Sequence, residues 1–111
     1  MIIHKEMASG RWFKFSLVEQ LANVGMDIDR TIRLRNKGDL EASKQAFERA
    51  LELLSLTILD PKHKGRLREL TRVREALIDY FVYDNEYGSS DKLWQNYFMD
   101  YNYAAAIRRG K

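Results

Sequence analysis

The chain has no cysteine, and that removes several chemistries at once. Disulfides, thiolate-held zinc, iron–sulfur ligation and thiol nucleophiles are all excluded. Proline is nearly missing too, with one residue, Pro61, and six glycines among 111 positions. So few interruptions favour long helices over many short strands. The only histidines, His4 and His63, are too far apart to form a metal-spaced pair. A glycine-rich phosphate loop is missing as well. No run approaches the roughly 20 apolar residues of a membrane span. Met1 to Glu6 meets charge after two apolar residues, unlike the continuous apolar region of a secretory signal. A cytoplasmic address is the expectation, with no cofactor and no metal. Asp84 and Glu86 straddle a turn-rich stretch and are the nearest approach to a carboxylate pair. Neither has an obvious reason to act as the acid, and catalysis is not the expected role.

What is present reads as a globular core. Hydrophobic residues make up 45% and charged residues 32%, and the net charge of +3 is mild. A chain of this size builds one core without staples. The patterning predicts an all-α, single-domain bundle of four main helices in up-down order, behind an irregular N-terminal arm over 1–15. Ser16-Leu17-Val18-Glu19 is a capping box that opens a helix over 16–37. Leu17, Leu21, Val24, Ile28 and Ile32 form its apolar stripe. Gly38 supplies a left-handed stop and Asp39 caps a second helix over 40–59. That helix carries the densest apolar face (Leu40, Ala46, Phe47, Ala50, Leu51, Leu54, Ile58, widened by Leu53, Leu56 and Leu59) and is expected to be central. Pro61 ends it. Helices over 65–83 and 90–108 follow, separated by the polar stretch Asp84 to Ser90. In the arm, a short helix over Ile3 to Ala8 is possible. Trp12, Phe13 and Phe15 are expected to pack over one end of the bundle or to dock on a second copy.

Three features stand out as carriers of function. Arg74 falls on the apolar stripe between Leu70 and Leu77, with Arg66 at its edge. A guanidinium there needs a carboxylate or carbonyl. An ion pair with Glu48, Asp27 or Asp79 is expected, or a place at the bundle edge where the stem packs and the head escapes; an anion site is the alternative. Lys62, His63, Lys64, Arg66, Arg68 and Arg72 cluster ahead of an acidic stretch, which makes Lys62, Lys64, Arg66, Arg68 and Arg72 candidate anion or nucleic-acid contacts. Finally, Tyr80, Phe81, Tyr83, Tyr87, Trp94, Tyr97, Phe98, Tyr101 and Tyr103 form an aromatic band. Helical spacing makes most of it core, but Tyr103 lies opposite Trp94, so more than one face is aromatic. Tyr80, Tyr83, Tyr87, Trp94, Tyr97 and Tyr101 are the candidate interface.

Two resemblances follow from these residues. Gly38-Asp39-Leu40 with Phe47, Ala50 and Leu51 resembles the second half of a tetratricopeptide repeat. The preceding helix, with Asp27, Arg30 and Thr31, departs from that repeat's pattern. The plan as a whole, a small four- or five-helix bundle of mixed charge, is similar to the HEPN family. Those proteins are commonly dimeric, often partner minimal nucleotidyltransferases, and in many members cleave RNA. Their nuclease signature is an Arg four to six residues ahead of a His. No Arg stands at that distance before His63 or His4, so the resemblance implies a non-cleaving or partner-type member and no catalytic residue. The expected function is a non-enzymatic helical interaction module that forms a homodimer or binds a protein partner. A nucleic-acid-binding or RNA-processing accessory is the alternative.

Overall fold

The computed structural model describes residues 10–109, and four helices account for most of them: α1 (Leu17–Lys37), α2 (Leu40–Leu59), α3 (Leu67–Phe81) and α4 (Asp91–Arg109). Short 3-10 turns, Arg11–Lys14 and Pro61–Arg66, precede α1 and α3. The chain is an all-α bundle, and no described helix is long and apolar enough to cross a membrane.

The helix ends form where the local chemistry dictates. The Ser16 hydroxyl accepts from the Glu19 amide at 3.2 Å, and the Glu19 carboxylate accepts from the Ser16 amide at 3.0 Å. Both orphan donors of the first turn are thereby satisfied. Gly38 closes α1 at φ +93°, a conformation costly for any residue with a Cβ. Asp39 then caps α2 through the Ala42 amide at 3.2 Å. Ser90 caps α4, its hydroxyl accepting from the Leu93 amide at 3.1 Å. The third helix starts later than the expected residue 65. Asp60 caps the Pro61 turn, and His63 leaves helical geometry at φ −103°, ψ 22°, so α-helix resumes only at Leu67.

Side-chain contacts fix an up-down-up-down arrangement. The Ser43 hydroxyl donates to the Thr31 carbonyl at 2.8 Å near one end of α1/α2, and the Gln20 amide donates to Asp60 at 3.0 Å at the other. Phe47 meets Phe81 with ring centroids 4.9 Å apart, while Arg74 meets Ser55, so α3 runs antiparallel to α2. Tyr80 bonds Asp91 and Tyr97 bonds Glu69, which turns α4 back along α3. Leu21, Val24, Ile28, Phe47, Leu54, Leu70, Leu77 and Phe98 fill the centre.

As its dense apolar face leads one to expect, α2 is contacted on more than one side, by α1, α3 and both 3-10 turns, while α1 packs closely on both α2 and α4. A small residue decides the approach of α4. A Cβ on Gly25 would sit 2.6 Å from the Phe98 Cβ, so only glycine lets α4 approach there. Leu40 and Leu59, assigned to the apolar face of α2, lie exposed at its two ends.

The arm packs inward from Trp12. The Trp12 side chain is fully buried and its indole donates to the Thr57 hydroxyl at 3.0 Å, while Phe13 and Phe15 lean on the core beside it. Trp12 is therefore committed to its own bundle. The short helix expected over Ile3 to Ala8 lies outside the described residues.

Candidate functional site

Arg74 has no carboxylate partner among the described residues. Its Nε donates to the Ser55 hydroxyl at 3.2 Å, and the side chain is half-buried at the α2–α3 edge. The proposed carboxylates are occupied or turned elsewhere. Asp27 pairs with Arg30 on its own helix at 3.3 Å, Asp79 serves the following loop, and Glu48 is exposed. The expected ion pair is thus replaced by a neutral acceptor, which the edge position tolerates because the stem packs while the head stays near water.

The basic segment divides into two groups. Lys62 is tied down, donating to Asp60 at 2.7 Å and to the Phe13 carbonyl at 2.5 Å. Arg66 is paired with Glu69 at 2.8 Å, and that bond raises its pKa further above the ordinary arginine value. Lys64, Arg68 and Arg72 are exposed and make no ion pair among the described residues. The structure therefore brings Arg68 and Arg72 together on the outer face of α3, while Lys62 and Arg66, also at the surface, are each neutralised by a neighbouring carboxylate.

The aromatic band divides as well. Trp94 is core, only 4% exposed, and its Nε1 is the one buried side-chain donor without a partner among the described residues. Tyr97 is half-buried and donates to Glu69 at 3.3 Å, while burial together with Tyr101 and Glu69 pushes its phenol pKa upward. Tyr101 packs against Tyr97 with centroids 5.6 Å apart. Tyr80 donates to Asp91 at 2.5 Å and lies under the Arg35 guanidinium. Tyr80 and Tyr97 bond across the α3–α4 seam with Tyr101 packed on Tyr97, and Trp94 lies between α4 and α1. These four, expected at an interface, hold the monomer together instead. Tyr83 and Tyr87 remain exposed, as does Tyr103.

Asp91 is a node that sequence spacing did not reveal. Arg35 pairs with it, Tyr80 donates to it, and Asn36 reaches it at 3.4 Å. Burial works against its charge, but the bonds from Tyr80, Arg35 and Asn36 outweigh that and hold the carboxyl below the usual range. A second hidden cluster surrounds His63, which is buried against α1. The Gln20 amide donates to the Trp12 carbonyl at 2.9 Å and to Asp60 at 3.0 Å, so its oxygen must face His63 Nε2, 2.7 Å away. That orientation makes Nε2 the protonated ring nitrogen. No spacing rule would have joined residues 20 and 63.

The most unusual surface belongs to α4. Its inner stripe, Trp94, Phe98 and Ala105, is buried. Its outer side carries Leu93, Met99, Tyr103 and Ile107, which are 47–60% exposed. Between α1 and α4 a groove of about 310 Å³ runs beside this face, with Gly25, Trp94 and Phe98 below and Met26 and Met99 on its rim. Lys92 and Asp100 are the charges on the same outer side, and neither has an ion-pair partner among the described residues.

Among the described residues, no group of three His, Asp or Glu side chains converges to hold a metal. Comparison with family models, with curated proteins and with solved structures finds no match to this chain.

Proposed function

We propose that the chain is a self-associating interaction module, paired through the outer face of α4. The observation that carries this reading is that Leu93, Met99, Tyr103 and Ile107 stand exposed on α4, away from the stripe that its own bundle buries. Exposed Met and Tyr on such a face are what partner surfaces favour.

A second copy is the occupant that the charges favour. Two α4 helices crossing antiparallel about a two-fold axis at Asn96 would set Lys92 of one copy against Asp100 of the other. The same axis sets Leu93 against Met99. Such an isologous contact is self-complementary, as a closed dimer requires. Lys92 gains from this arrangement, because a cation near a helix N-terminus opposes the macrodipole when it has no anion beside it.

Light scattering on a sizing column tests the reading. The wild type is expected at twice the 13.1 kDa chain mass. Met99→Glu, which puts a charge into the contact without touching the inner stripe, is expected at the single-chain mass with an unchanged helical signal. A wild type that stays monomeric at high micromolar concentration removes the proposal.

A further inference from the structure

On a different face, α3 and the loop after it combine free cations with a presented aromatic ring. Arg68 and Arg72 stand one turn apart, about 6 Å along the axis. They are like charges at i,i+4 spacing, a small local penalty, and neither is neutralised by an ion pair among the described residues. Lys64, in the Pro61–Arg66 turn before α3, is likewise exposed and makes no ion pair among the described residues.

The pair leads to Tyr87. This side chain is 65% exposed, yet the backbone beneath it is firmly held. Asp79, a buried carboxylate, accepts from the Glu86 amide at 2.9 Å through one oxygen and from the Tyr87 amide at 3.1 Å through the other. Asn85, at φ +56°, exchanges two hydrogen bonds with Ser89, at 2.7 and 2.9 Å. Both oxygens of a buried acid are thus committed to placing a loop whose outward product is a tyrosine ring. Among the described residues, Tyr87, Ala76, Glu75 and Arg72 line a cavity of about 380 Å³.

We infer that the outer face of α3 carrying Arg68 and Arg72, together with Tyr87 of the following loop, binds single-stranded nucleic acid. An unpaired base stacks on the Tyr87 ring, which any base does because each has a π-face. Arg72 and Arg68 hold the adjoining phosphates, Arg72 at the cavity and Arg68 one turn away. Glu75, at the cavity wall, accepts from a base N–H, which favours bases with an exocyclic amine. Duplexes present no free base to the ring and bind more weakly. The site is independent of the α4 contact, so a monomeric chain leaves it untouched.

The test is fluorescence anisotropy with short labelled single strands, DNA and RNA in separate arms, between about 50 and 200 mM salt. Binding is expected to weaken steeply with salt. Arg68→Ala and Arg72→Ala should each flatten the log–log slope by roughly 0.7. Tyr87→Ala is expected to lose about tenfold in affinity, whereas Tyr87→Phe, which keeps the ring, retains it. Preference for one of the two arms identifies the sugar without altering the inference. Absence of binding at the lowest salt overturns it. So does binding that is indifferent to Tyr87→Ala, or equal binding of single strand, duplex and heparin, since these describe a generic polyanion surface.

Discussion

Gly25 is where α1 and α4 touch, and nothing larger fits. A methyl group there would lie 2.6 Å from the Phe98 Cβ, a backbone-anchored atom that cannot swing aside. Gly25→Ala is therefore expected to destabilise the fold by about 1–3 kcal/mol, through overpacking, despite alanine's better helix propensity. A melt followed by circular dichroism should show a fall of several degrees. An unchanged or raised melting temperature would mean that the two helices do not meet at that point. Arg74 leads to the opposite expectation. With a serine hydroxyl as its partner at a half-buried edge, Arg74→Leu should move stability by no more than about 1 kcal/mol in either direction. A loss of several kcal/mol would point to a hidden ion pair. The sequence marked Arg74 as anomalous because of its place on the apolar stripe. It could not show that the edge of α2 offers Ser55 there, since that depends on how two helices register.

At the scale of elements, the Pro61–Arg66 turn is held to α1 by His63, Asp60 and Gln20, and that joint should be sensitive to pH. Burial disfavours the charged imidazolium of His63, and Lys62 and Arg66 add to this while Asp60 alone opposes it, so its pKa lies below the ordinary 6.5. Below about pH 6.5 the unfolded chain takes up a proton that the folded chain refuses. Stability therefore falls as the pH drops from there toward the folded value, and this group makes no difference above it. Asp60 acts lower on the scale. Burial opposes its charge, but the bonds from Lys62 and Gln20 overcome that, so its stabilisation is present above about pH 4 and lost below. His63→Gln should flatten the melting temperature between about pH 7 and 5 and leave the acid limb in place. An upper limb that persists in the variant would falsify the assignment to His63. The helix caps at Ser16, Gly38 and Asp39 were legible because each acts within four residues. The His63 joint was not, because Gln20 reaches it only after α1 and the turn have docked. The same distinction explains the basic segment. Sequence groups Lys62 with Arg72, while the fold ties one to Asp60 and leaves the other free on α3.

For the whole molecule, the all-α plan and its four helices could be read directly from periodicity and punctuation. The several neighbours of α2 follow from its dense apolar face, but the close approach of α4 to α1 could not be read there, because it depends on Gly25, which adds nothing to a hydrophobic count. Of the aromatics expected at an interface, Tyr80, Trp94, Tyr97 and Tyr101 turn inward and only Tyr83 and Tyr87 stay exposed, while Tyr103 opposite Trp94 is the visible sign of a second exposed side on α4. The self-association proposed for this chain rests on its own α4 and on no family resemblance. That proposal is tested most directly by reversing a charge and then restoring it, with mass read by light scattering. The wild type should run as a dimer, Lys92→Glu should shift it toward monomer, and Lys92→Glu combined with Asp100→Lys should return the dimer. A double variant that stays as monomeric as the single one, or a wild type with no dimer to lose, would contradict the pairing of α4 with its own copy.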